Sequence, residues 1–172
     1  MFFRERIVSI KPGDHVLEVG PGGTPFARSD VFLERVFDDP ESAARQRGLV
    51  PPLQSHKQTV YYQGTRFPFN DKEFDYVICS HVLEHVEDVE AFTRELARVG
   101  QRGYLEYPNV YYDYIYNFRV HQNFLHRQKV RSSRRFSSPL GIFLRFLVGR
   151  PRGTHSRYEA ILFRGFRMVW LY

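Results

Sequence analysis

The chain has 172 residues, 42% hydrophobic and 26% charged, with a formal net charge of +6. This composition suits one compact soluble domain with a sizeable core. Its single cysteine, Cys79, excludes an intrachain disulfide and a multi-cysteine zinc centre and points to a reducing, cytoplasmic setting. There is no run of about 18 apolar residues to span a membrane, and charges interrupt MFFRERIVSI where a signal peptide would be apolar.

Charge divides the chain. Residues 1–110 carry 13 Lys and Arg against 17 Asp and Glu, a net of −4, whereas residues 111–172 carry 12 against 2, a net of +10. The second part is therefore expected to meet something anionic: phosphate, acidic glycan, lipid head group or nucleic acid. The alternative is a solvated basic surface with no partner.

In chain order, HVLEV (His15 to Val19) is a short apolar run ending in Gly-Pro-Gly-Gly. DVFLE (Asp30 to Glu34), QTVYY (Gln58 to Tyr62), FDYVICS (Phe74 to Ser80) and GYLEY (Gly103 to Tyr107) repeat the pattern. Runs of this length, rich in β-branched and aromatic residues, predict buried parallel strands. In EDVEAFTRELARVG, Val89, Phe92, Leu96 and Val99 follow at spacings of 3, 4 and 3, which predicts a helix capped by Asp88 and stopped at Gly100. A helix between two buried strands is a βαβ unit.

After EYPN the texture turns aromatic and basic, with Tyr111, Tyr112, Tyr114, Tyr116 and Phe118, and Arg131 to Ser138 reads as a mobile loop. PLGIFLRFLVG, Pro139 to Gly149, is too short to cross a membrane but suits packing inside or peripheral contact with a membrane surface. YEAILF and FRMVWLY flank Arg164-Gly165, predicting a hairpin that closes one sheet edge. The expected fold is α/β, a Rossmann-like mostly parallel sheet with a C-terminal antiparallel hairpin at one edge. It forms a single domain over 1–172, with a core in 1–110 and a basic aromatic cover in 111–172.

Two motifs carry chemistry. The glycines of EVGPGG would let the backbone turn tightly and approach a ligand, while the absence of a following lysine argues against a nucleoside triphosphate. In SHVLEHVED, His81, Glu84 and His85 stand at i, i+3 and i+4 as an inverted zinc-protease motif requires. Such a site needs a sustained helix, and here the motif directly follows the strand FDYVIC, so the protease reading is set aside.

The ordered set VLEVGPGG, a following strand-end acid, GTRFPFNDKEFDYVICSHVLEHVED and FTRELARV resembles the class I S-adenosylmethionine-dependent methyltransferases over roughly residues 12 to 110. More narrowly, it resembles the group called methyltransferase type 11. The resemblance implies S-adenosylmethionine as cofactor. Glu18 and the backbone of Gly20, Gly22 and Gly23 would face its methionine part, with loop bracing as the other reading of Glu18. Glu34 would take the ribose hydroxyls, with Asp38 and Asp39 as alternatives. Gln63 and Gly64 stand where an acid and a small residue commonly meet the adenine. Pro25 suggests a shortened or missing first helix.

Ser80 and His81 would lie beside the transferable methyl group, His81 as a base for a hydroxyl acceptor or as a structural or cofactor contact. Some relatives with E..EH at this place hold a divalent metal. His81, Glu84 and His85 match it with His in first position, and a hydrogen-bonding pair at the start of the helix is the preferred reading of Glu84 and His85, with no metal. Tyr111, Tyr112 and His121 would overhang the pocket and meet the acceptor. The resemblance implies a small-molecule, glycan or lipid acceptor. A nucleic-acid methyltransferase and a binding module that kept the fold without turnover are the rival readings, and the oligomeric state is open.

Overall fold

The computed structural model describes residues 3–39, 41–42, 56–108, 121, 123, 125, 127–129, 141–148, 157–164 and 166–170. Tyr111, Tyr112 and the segment 131–138 lie outside the described residues.

Strands β1 (Val16–Val19), β2 (Val31–Arg35), β3 (Gln58–Tyr62), β4 (Phe74–Ser80), β5 (Gly100–Tyr107) and β9 (Phe166–Trp170) form one sheet in the order β3-β2-β1-β4-β5-β9. Every pair in it is parallel. β1 and most of β4 are buried along their whole length, which is why both read as unbroken apolar runs rather than as alternating ones. Residues 20–30, between β1 and β2, contain no helix, as Pro25 suggested.

Helix α1 (Val89–Val99) connects β4 to the adjacent β5. Its Phe92, Leu96 and Val99 belong to one apolar cluster with Leu17, Val19, Leu33, Val77, Cys79 and Leu105 of the sheet. Ile7, Val16, Tyr76, Ile78 and Tyr104 form a second cluster, against which Phe3, Ile10 and Phe26 pack. The Asp88 carboxylate caps α1 by accepting the Ala91 N–H at 2.9 Å. Gly100 ends the helix in extended backbone, with φ −105°. The reason for glycine there is close packing, since a Cβ would stand 2.5 Å from Val77 Cγ2.

The loop before β4 is clamped to α1. Arg98 donates to the carbonyls of Phe67 and Phe69 at 3.0 and 2.8 Å and pairs with Asp71 and Glu95, while Glu95 accepts the Phe67 N–H at 2.8 Å.

The expected C-terminal hairpin is corrected. β8 (Arg157–Arg164) does not pair with β9; it pairs antiparallel with β7 (Gly141–Val148), which pairs antiparallel with β6 (Arg127–Lys129) in a separate three-stranded sheet. One residue separates β8 from β9, whereas the tightest common hairpin needs two. The strand that closes the edge is β9, running parallel to β5. The stretch from Pro139 to Gly149 contributes β7, paired on both sides. No helix among the described residues is long and apolar enough to cross a membrane.

Candidate active site at the carboxyl ends of the parallel strands

The strand order changes direction at β1, which has β2 on one side and β4 on the other. In open parallel sheets the crevice at this switch point, at the carboxyl ends of the strands, is where ligands sit. Gly20 leaves β1 with φ +63° and donates its N–H to the Leu33 carbonyl at 2.9 Å. A Cβ on Gly20 would lie 2.6 Å from Val82 Cγ2, so the loops after β1 and β4 touch. Gly22 also has positive φ, +58°, and Gly23 follows it partly buried.

Glu18 is buried, and its Oε2 accepts the Phe26 N–H at 2.8 Å and the Ser29 hydroxyl at 2.7 Å. Burial raises its carboxyl pKa above the ordinary value, against the pull of those two bonds. The carboxylate thus braces the glycine loop, a role that can hold together with a place beside the ligand.

Glu34 is buried near the end of β2, whereas Asp38 is exposed, 3.5 Å from Gln63 Nε2. Asp39 is committed to its own loop, accepting from the N–H and the hydroxyl of Ser42 at 2.7 Å each. Gln63 and Gly64 follow β3 on the surface. The Val36 N–H donates to the Tyr62 carbonyl at 2.9 Å, keeping the ends of β2 and β3 together.

At the end of β4, Ser80 is buried, and its hydroxyl has no hydrogen-bond partner among the described residues. His81 follows with φ +56°, a left-handed conformation that a non-glycine residue adopts only when its surroundings hold it there. Its N–H donates to the Glu106 carbonyl at 2.9 Å, Nδ1 lies 3.3 Å from Glu84 Oε1, and Nε2 lies 3.0 Å from Glu106 Oε1. Burial alone would depress the imidazole pKa, but the bonds to Glu106 and Glu84 outweigh it and raise the value to about 9.

Leu83–His85 form a single 3-10 turn, so the helix that a zinc protease would need is absent at this point. The turn is fastened by Asn123, whose N–H donates to the Glu84 carbonyl at 3.1 Å and whose amide donates to the carbonyls of Leu83 and Val86. His121 lies with its ring 4.9 Å from that of His85, edge to face. The structure thereby brings His121, expected over the pocket, to the segment after β4. Ligand atoms of Glu84, His85 and His121 all lie within 4.8 Å of one another, the only such mixed cluster among the described residues.

Sequence reasoning missed Glu106 and Asn123. Glu106 is fully buried, sits opposite Ser80 in the β4–β5 register, and accepts from the Tyr104 hydroxyl as well as facing His81. A lone acid inside the apolar run GYLEY was its signal, as Glu18 is in HVLEV.

Residues 33–107 match the family model described as a methyltransferase domain. Among solved structures, the chain is similar to a SAM-dependent methyltransferase of Thermotoga maritima at 22% identity, covering 59% of this chain and 47% of that one with a TM-score of 0.41. It is similar to the YcgJ protein of Bacillus subtilis at 21% identity, covering 56% and 44% with a TM-score of 0.39. An S-adenosylmethionine-dependent methyltransferase of Mesorhizobium loti matches at 20% identity over 52% and 42%, with a TM-score of 0.35. The chain spans less than half the length of each of these three. No curated protein matches it. The match to a methyltransferase domain thus runs from β2 to the end of β5.

Proposed function

We propose that the chain transfers a methyl group from S-adenosylmethionine to an anionic acceptor, with the methyl donor held at the carboxyl ends of β1 to β4. The observation that carries this reading is the switch point itself: two positive-φ glycines after β1, at Gly20 and Gly22, and a buried acid, Glu34, at the end of the neighbouring β2. Backbone without side chains admits a close ligand, and an acid at the second strand end suits the two hydroxyls of a ribose.

Within this reading Glu34, not the exposed Asp38, takes the ribose. The backbone of Gly20, Gly22 and Gly23 faces the methionine part, and Gln63 with Gly64 borders the adenine. The sulfonium of the bound donor supplies an already activated methyl group. What remains for the chain is alignment of the acceptor, a contribution worth up to about 7–11 kcal/mol. His81, with each ring nitrogen facing a carboxylate, serves as a positioning residue that ties the end of β4 to β5. The basic C-terminal part, carrying 12 Lys and Arg against 2 Asp and Glu, supplies the acceptor's countercharge, and a cell-surface glycan or lipid intermediate fits that charge.

Calorimetric titration of S-adenosylhomocysteine tests the reading. One-to-one binding is expected, weakened at least about tenfold, or ~1.4 kcal/mol, by Glu34→Ala and little changed by Asp38→Ala. A folded wild-type protein that takes up none would leave a module that kept the fold without the activity. Salt-steep binding to RNA or DNA would move the acceptor to nucleic acid.

A further inference from the structure

We propose that Glu84, His85 and His121 bind one divalent transition-metal ion beside the end of β4. Their ligand atoms lie within 4.8 Å of one another. Ligand atoms around a tetrahedral zinc stand roughly 3.3 Å apart, given metal–nitrogen distances of about 2.0–2.1 Å, so the three side chains must draw together to close on an ion. The donor set selects the class of metal. Two imidazoles with one carboxylate suit zinc, iron, cobalt or nickel, whereas magnesium and calcium favour all-oxygen surroundings.

A second observation points the same way. Glu84 is 1% exposed, and its Oε2 is buried with no hydrogen-bond partner among the described residues. A buried carboxylate with one oxygen left without a partner is costly, and a cation bound by that carboxylate and two imidazoles offsets the cost. The third observation is how the ligands are held. His121 comes from a distant part of the chain, and Asn123, two residues on, is bonded to the backbone of Leu83, Glu84 and Val86. The segments carrying the three ligands are therefore tied together by bonds that do not involve the ligand side chains. Behind Glu84, His81 bridges to Glu106, the kind of outer contact that orients a ligating carboxylate.

Three protein ligands leave a position open for water or another oxygen. The site follows Val82, which covers Gly20, so an ion there would stand at the rim of the proposed donor crevice and could hold the acceptor oxygen and favour its deprotonated form. That use rests on the methyl-transfer reading; the site itself does not.

The test uses the full chain without a histidine tag, stripped with a chelator and titrated with cobalt(II), read by calorimetry and by the visible ligand-field bands of bound cobalt. One equivalent is expected, displaced by zinc, with affinity reduced at least about tenfold in His121→Ala, His85→Ala and Glu84→Gln and unchanged in the exposed-histidine control His56→Ala. Folding is followed by circular dichroism. His121 is only half-buried, so its variant decides the matter even if Glu84→Gln unfolds. No cobalt uptake, or uptake unaffected by the ligand variants, overturns the proposal. S-adenosylhomocysteine titrated into the same stripped protein separates the two readings: binding without any metal uptake would sink the metal site and leave the donor site standing, and the converse would do the reverse.

Discussion

The loops after β1 and β4 meet where Val82 packs over Gly20, yet their buried acids behave differently. Glu18, beneath the first loop, spends one oxygen on the Phe26 N–H and the Ser29 hydroxyl. Glu84, within the second, faces His81 and His85 with one oxygen and leaves the other buried without a hydrogen bond among the described residues. The first loop is braced by that carboxylate, which suits the proposed donor site. The second collects imidazoles and carboxylates around a left-handed His81, and concentrated polar strain of this kind is found where chemistry is done.

The largest effect is expected at the contact between the loops. Gly20→Ala forces a side chain into a left-handed residue and against Val82. The backbone costs about 1–2 kcal/mol and the overpacking about 1–3 kcal/mol; chemical denaturation should show the loss and calorimetry should show that donor binding goes with it. Gly100→Ala meets Val77 just as closely but far from the crevice, so it should lower stability by about 1–3 kcal/mol and leave donor affinity unchanged.

Asn123→Ala tests the second loop alone. It strips hydrogen bonds from the carbonyls of Leu83 and Val86 and should cost about 1–3 kcal/mol, with cobalt affinity falling while donor affinity holds. Asp88→Ala, which removes the α1 cap, should cost about 1 kcal/mol and alter neither affinity.

The smallest effect concerns pH. The folded-state pKa of Glu18 is raised by burial, so its contribution to stability is present below the ordinary carboxylate range and is lost as pH rises through the raised value. Glu18→Gln, which keeps an acceptor oxygen, should flatten that part of the stability–pH curve measured by thermal melts.

Much of the parallel sheet was legible because strands buried on both faces write themselves as short apolar runs, and α1 because Val89, Phe92, Leu96 and Val99 mark one face. The C-terminal pairing was not. YEAILF and FRMVWLY look alike as strands, and nothing local says that β8 joins β7 while β9 joins β5. The glycine loop could be placed from its position after an apolar run, whereas Glu34 is preferred over Asp38 and Asp39 only through the resemblance. Glu106 could not be placed, since its meaning depends on the β4–β5 register that sets it opposite Ser80. His121 could be singled out for the pocket, but not its contact with His85, which only the folded chain makes.

Whether the crevice between β1 and β4 holds the methyl donor, as proposed, is decided by calorimetric titration of S-adenosylhomocysteine into wild type, Gly20→Ala and Gly100→Ala, all confirmed folded at the temperature used. Equal one-to-one binding by wild type and Gly100→Ala, with none by Gly20→Ala, is the predicted result. A folded Gly20→Ala that binds like wild type, or a wild type that does not bind, would contradict it.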